Sequence, residues 1–273
     1  MKEIDKRFNR ENIKGKMAEV LFREEFLNGN NTFPYTNGKT YKDVSDNLTF
    51  QNADVDVLFY NKDKANSSMT PEVILKESHW LDNLDTDNFI FYEIKFDSRI
   101  NDTRHFLYEV LKKDKPGRMA KSKADIIICV PITNTYPYKF YDYFWVINAF
   151  KMRTYLRQGL HNEYREFKKF STALAEMVLN GNCDENVIKE QAKKVIEYKN
   201  YIVPYNYELK SENMKGKTKA EVEAAEIDSK ILNLWLDIDK LVEIGAATKM
   251  KISISDEQKT KIENTYNDML KNG

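Results

Sequence analysis

Between residues 10 and 28, Ile13, Met17, Val20, Leu21 and Leu27 fall near one helical stripe, while Asn12, Lys16, Glu19 and Arg23 follow each other three or four positions apart on a polar one. The pattern predicts an amphipathic helix with Glu19 turned away from the apolar seam. Residues 29 to 47, rich in Asn, Gly, Thr and Asp, read as a loop with a turn at Asn37-Gly38. Val55, Val57 and Phe59 then alternate with Asp54, Asp56 and Leu58, which predicts a strand with both carboxylates on one side. A polar insertion, 61 to 88, precedes a second strand, Phe89 to Phe96, where Phe91, Glu93, Lys95 and Asp97 share a side.

Further apolar segments follow at His105 to Val110, at Ala124 to Val130, which is continuous enough for a central strand, and at Tyr143 to Ile147. A helix is expected from Ala149 to Arg157, and strands alternating with helices predict an α/β sheet flanked by helices. After Gly159 the chain turns helical, with Tyr164, Phe167, Phe170, Leu174, Met177 and Val178 at helical spacing, and 185 to 199 forms a more polar stretch before Tyr201-Ile202-Val203-Pro204. SENMKGKTK, 211 to 219, reads as a linker. Beyond it, Ile227, Ile231, Leu234, Trp235, Ile238, Leu241 and Val242 form an apolar stripe, and Ser255 with Gln258 makes a capping box for a last helix.

At 273 residues the chain can bury a full core. MKEIDKRFNR is followed by no apolar run, so neither a signal peptide nor a membrane span is expected. Cys129 and Cys183 are far apart and lack zinc spacing; Cys129, within IIICV, reads as a small buried hydrophobe, and a reducing, cytoplasmic location is expected. The 43 basic and 43 acidic residues balance, which argues against a large nucleic-acid surface. The charges are uneven, however: KKDKPGRMAKSK, 112 to 123, holds six basic residues and one acidic one. That run is either a solvated loop or a contact surface for phosphates.

Asp56 on one strand and Glu93-x-Lys95 on another would hold a divalent ion beside a phosphodiester and an ammonium beside the attacking water. Carboxylates without a histidine cluster favour Mg2+, with Mn2+ as a substitute, over zinc. Asp56, Glu93 and the backbone carbonyl of Ile94 are the candidate ligands, with Glu19 available to a second ion or its water. Lys95 would orient or deprotonate the water, or balance developing charge. The competing explanation is a Glu-x-Lys ion pair on a solvated face of a chain that is 32% charged. His79, His105 and His161 have no ligand spacing, and the aromatic run Tyr136 to Trp145 reads either as base-stacking or as packing.

The order of these parts, GKMAEVLF with Glu19, DVLF with Asp56 and EIK with Glu93 and Lys95, resembles the PD-(D/E)XK nuclease superfamily over roughly residues 10 to 160. EIKFD, TRHFLYE and GRMAKSKADIII resemble a pattern of phage and plasmid-type members. The resemblance implies a restriction-endonuclease-like mixed β-sheet flanked by helices, in the order αβββαβ, and places Glu109, Ser122, Lys123 and Asp125 near the site. It favours Asp56 over Asp54 as the main ligand and makes 61 to 88 an excursion from the core. Residues 1 to 210 would then form the nuclease core, with a helical insertion at about 160 to 199, and 217 to 273 a C-terminal helical subdomain.

The resulting expectation is a Mg2+-dependent endodeoxyribonuclease that docks on DNA through Lys112, Lys113, Arg118, Lys121, Ser122 and Lys123. A homodimer is the simplest way to supply two sites for a concerted double-strand cut. Two rivals remain: a non-catalytic DNA-binding protein with the same fold, and a protein-interaction module whose Trp235 helix docks on a partner.

Overall fold

The computed structural model describes residues 3–63, 69–76, 88–112, 115–116, 122–158, 202–204 and 231–272. The expected helical insertion at 160 to 199 and the linker at 211 to 219 lie outside them. The chain forms two compact units. The first comprises residues 1–104, 123–150 and 242–273, and the second 105–122 and 151–241.

The first unit is built on a mixed six-stranded sheet. Its strands are β1 (Thr40–Asp43), β2 (Val57–Tyr60), β3 (Phe89–Asp97), β6 (Ile126–Pro131), β7 (Tyr143–Asn148) and β10 (Ala247–Lys251), in the spatial order β1-β2-β3-β6-β7-β10. Strands β1, β2 and β3 form an antiparallel meander; β3 and β6 run parallel, and β6, β7 and β10 continue antiparallel. Every residue of β6 is buried, as the IIICV run implied, since a central strand covered on both faces cannot alternate.

The helix expected over 10 to 28 is α1 (Glu3–Asn28). Met17, Ala18, Leu21 and Phe22 form its buried stripe and pack with Phe59, Tyr92, Ile128 and Phe144 on one sheet face. Phe22 stands at the centre of this cluster, where burying an aromatic ring contributes about 1.5–3 kcal/mol. Leu27, assigned to the stripe from its spacing, is 57% exposed. The helix ends at Asn28, and the next position takes glycine because a Cβ there would lie 2.7 Å from Ser253 Oγ and collide with the Glu25 carbonyl. Leu58, Phe89 and Phe91, alternating with the first set, join Phe50 and Ile74 in a second cluster.

Two local expectations are corrected. Thr40–Asp43, within the expected loop, forms edge strand β1 by pairing with β2. The strand expected from residue 54 begins at Val57, because the short helix α2 (Leu48–Asn52), capped by Asn47, leads into Asp54 with a left-handed φ of 51°. Asp tolerates that conformation, which takes Asp54 out of the strand that would have aligned it with Asp56. Within 61 to 88, the short helix α3 (Pro71–Lys76) contributes Ile74 to the second cluster. A further short helix, α4 (Ile100–Thr103), follows β3.

The segment after β7 forms the expected helix, α5 (Ala149–Gln158). The C-terminal helical region consists of α6 (Ile238–Glu243) and α7 (Asp256–Asn272). The Ser255/Gln258 capping box exists: Gln258 N–H donates to Ser255 Oγ at 3.2 Å and Ser255 N–H to Gln258 Oε1 at 3.1 Å.

The second unit contains an antiparallel sheet of β5 (Lys115–Pro116), β4 (His105–Lys112), β9 (Ile231–Asp237) and β8 (Ile202–Pro204), in that spatial order. Here the helical reading of Ile231 to Asp237, and with it a Trp235 docking helix, is overturned. ILNLWLD satisfies a period of two as well as the helical spacing, and pairing along β4 selects the strand. The apolar segment at His105 to Val110 belongs to this sheet rather than to that of β2 and β3.

Candidate active site

Asp56 immediately precedes β2. Its N–H donates to the Tyr92 carbonyl at 2.9 Å, its own carbonyl accepts from Val44 N–H at 2.9 Å, and its carboxylate Oδ2 accepts from the Ile94 amide at 2.7 Å. In a strand the N–H and C=O of one residue project from the same edge, so the Ile94 carbonyl faces Asp56 as well. The Asp56 carboxylate thus lies against the edge of β3 beside the start of β2.

Glu93 and Lys95 flank Ile94. Tyr92 and Ile94 point into the cluster beneath α1, so alternation sends Glu93 and Lys95 to the face shared with Phe91. Glu93 is 2% exposed, and Lys95 is half-buried. A carboxylate withdrawn this far from water is expensive unless hydrogen bonds or a cation compensate it. Asp97, two residues beyond Lys95, accepts from Arg99 and Ile100 N–H at 2.7 and 3.0 Å. Burial raises its carboxyl above the usual aspartate value, against those two hydrogen bonds and the nearby charge of Lys95. The thiol of Cys129, opposite Lys95 on β6, is also pushed well up by burial, with the field of Asp97 adding and that of Lys95 opposing.

Glu19 lies on α1, whose apolar stripe covers the other face of the sheet, and bonds Lys16 at 2.7 Å. Burial alone would lower the Lys16 ammonium; the Glu19 bond and charge outweigh it and hold it above the ordinary lysine value. Burial first, then the charge of Asp43, pushes the Tyr41 phenol up to about 12, with Glu19 and Asp56 adding and Arg23 opposing. Tyr41 lies in a segment read as loop, so no sequence signal marked it.

Asp54 is buried in its turn, not beside Ile94 on the strand. Asp125 has a scaffold role: its Oδ2 accepts from Phe91 N–H at 2.8 Å, while its N–H and C=O engage Phe91 and Ala149. Glu109 lies on β4 in the second unit, at a register shift against β9.

Among the proposed phosphate contacts, Lys113, Arg118 and Lys121 lie outside the described residues, and Lys112 is described only as backbone of β4. Ser122 is 1% exposed, which removes its hydroxyl from the surface, and its carbonyl accepts from Arg153 at 2.8 Å. Lys123 is half-buried and donates its N–H to the Ala53 carbonyl at 2.8 Å. In the aromatic run, Tyr138, Phe140, Phe144 and Trp145 are buried, so packing accounts for most of it, and Tyr136 is exposed.

Among the described residues, no three His, Cys, Asp or Glu side chains converge into a group able to hold a metal. The Asp56 carboxylate accepts from the Ile94 amide, and Glu93 is adjacent in sequence. Mg2+ takes one or two carboxylates and completes its octahedron with water and substrate phosphate. No helix among the described residues is long and apolar enough to cross a membrane. No family model, curated protein or solved structure matches this chain.

Proposed function

We propose that this protein is a Mg2+-dependent endodeoxyribonuclease of the PD-(D/E)XK type. The observation that carries the reading is the hydrogen bond from the Ile94 amide to the Asp56 carboxylate, because it puts an acidic side chain from the start of β2 against the middle of Glu93-Ile94-Lys95. The succession of α1, an antiparallel meander with Asp56 and Glu93-x-Lys95 at its edge and in its third strand, and the parallel strand β6 supports the reading.

In this reading Asp56, Glu93 and the Ile94 carbonyl would hold the ion, which would supply polarisation of the phosphodiester and a water nucleophile near neutral pH. Lys95, on the same face as Glu93, orients or deprotonates that water or offsets charge on the transferring phosphoryl group. Glu19, on the helix that covers the other face of the sheet, stays outside the ligand set in this reading, and DNA is the substrate.

The test is incubation of the protein and of Glu93→Ala/Lys95→Ala with supercoiled plasmid, linear duplex and branched DNA, each with EDTA, Mg2+ or Mn2+. Metal-dependent cleavage that disappears in the variant establishes the nuclease. Cleavage that survives in the variant removes these residues from the chemistry. No cleavage of any substrate shifts the reading to a DNA-binding protein without catalysis or to a protein-interaction module.

A further inference from the structure

We draw no further inference here: the strongest candidate, the acidic side-chain cluster where α1 meets the turn after β1, with Glu19 and Asp46 carboxylates 2.7 and 4.0 Å from the Lys16 ammonium, carries nothing because Lys16 itself meets those charges and nothing in the structure points to a ligand held there.

Discussion

The Oδ2 atom of Asp56 accepts the amide proton of Ile94 across 2.7 Å, joining the residue ahead of β2 to the centre of the Glu93-Ile94-Lys95 tripeptide. This bond gives Asp56 a structural task alongside its proposed chemical one, and the two separate by substitution. Asp56→Asn keeps a carbonyl oxygen for the Ile94 amide and should change stability by less than about 1 kcal/mol, yet it removes the charge a cation needs. Asp56→Ala strands the amide and should cost about 1–3 kcal/mol. Urea unfolding of both variants, combined with plasmid nicking, checks this; the expected pattern is no nicking in either and a clear stability loss only in Ala.

Lys95 carries the sharpest catalytic prediction. Lys95→Ala should abolish Mg2+-dependent cleavage while DNA affinity measured in EDTA stays within a few-fold, because one positive charge among several contributes only a fraction of backbone binding. Gel-resolved cleavage and anisotropy on the same preparation test the pair of statements. Loss of binding by orders of magnitude would instead make Lys95 an anchor for the substrate.

Asp97 should make stability depend on pH. Burial raises its carboxyl in the folded protein above the unfolded value of about 3.9, so the folded state retains a proton that the unfolded state has released. Its contribution is therefore favourable at low pH and is lost as pH rises from the unfolded value through the raised folded one. Asp97→Asn keeps an acceptor for the Arg99 and Ile100 amides and is neutral at every pH. The variant should gain stability relative to wild type on passing upward through that window, and urea midpoints between pH 3 and 7, where both proteins fold, measure the difference.

Glu25 is the structural carboxylate of the first unit. It is fully buried and accepts from Ser253 N–H at 2.9 Å, Ile254 N–H at 3.0 Å, Asn31 Nδ2 at 2.6 Å and the Ser253 hydroxyl, tying the end of α1 to the segment between β10 and α7. Glu25→Ala leaves two backbone amides without this acceptor and should cost about 3 kcal/mol or more. Ser253→Ala, which removes one donor and keeps the backbone, should cost less than half as much. Chemical denaturation of the two variants decides.

Much of the site was legible because β-strand alternation is local. The sequence placed Glu93 and Lys95 on one side of β3 and marked IIICV as a central strand, and the Ser255/Gln258 box predicted the start of α7. It did not separate Asp54 from Asp56 by periodicity, since both occupy equivalent positions in ADVDV; the left-handed turn at Asp54 separates them. Thr40–Asp43 was missed because a four-residue edge strand of TYKD has no apolar repeat and exists only through its pairing with β2.

What the sequence by itself determined was the residue chemistry and its local phase: Glu-x-Lys on one side of a strand, an acid close to another strand, and an α/β succession of elements. Tertiary structure alone decided which segments pair. It made ILNLWLD a strand against β4, brought Asp56 to the Ile94 amide across 38 positions of sequence, and aligned Lys95 with Lys249 across four strands. Periodicity fixes only the direction of a side chain relative to its own backbone. Which backbone lies alongside, and in what register, depends on burying whole faces at once, and no local window contains that information.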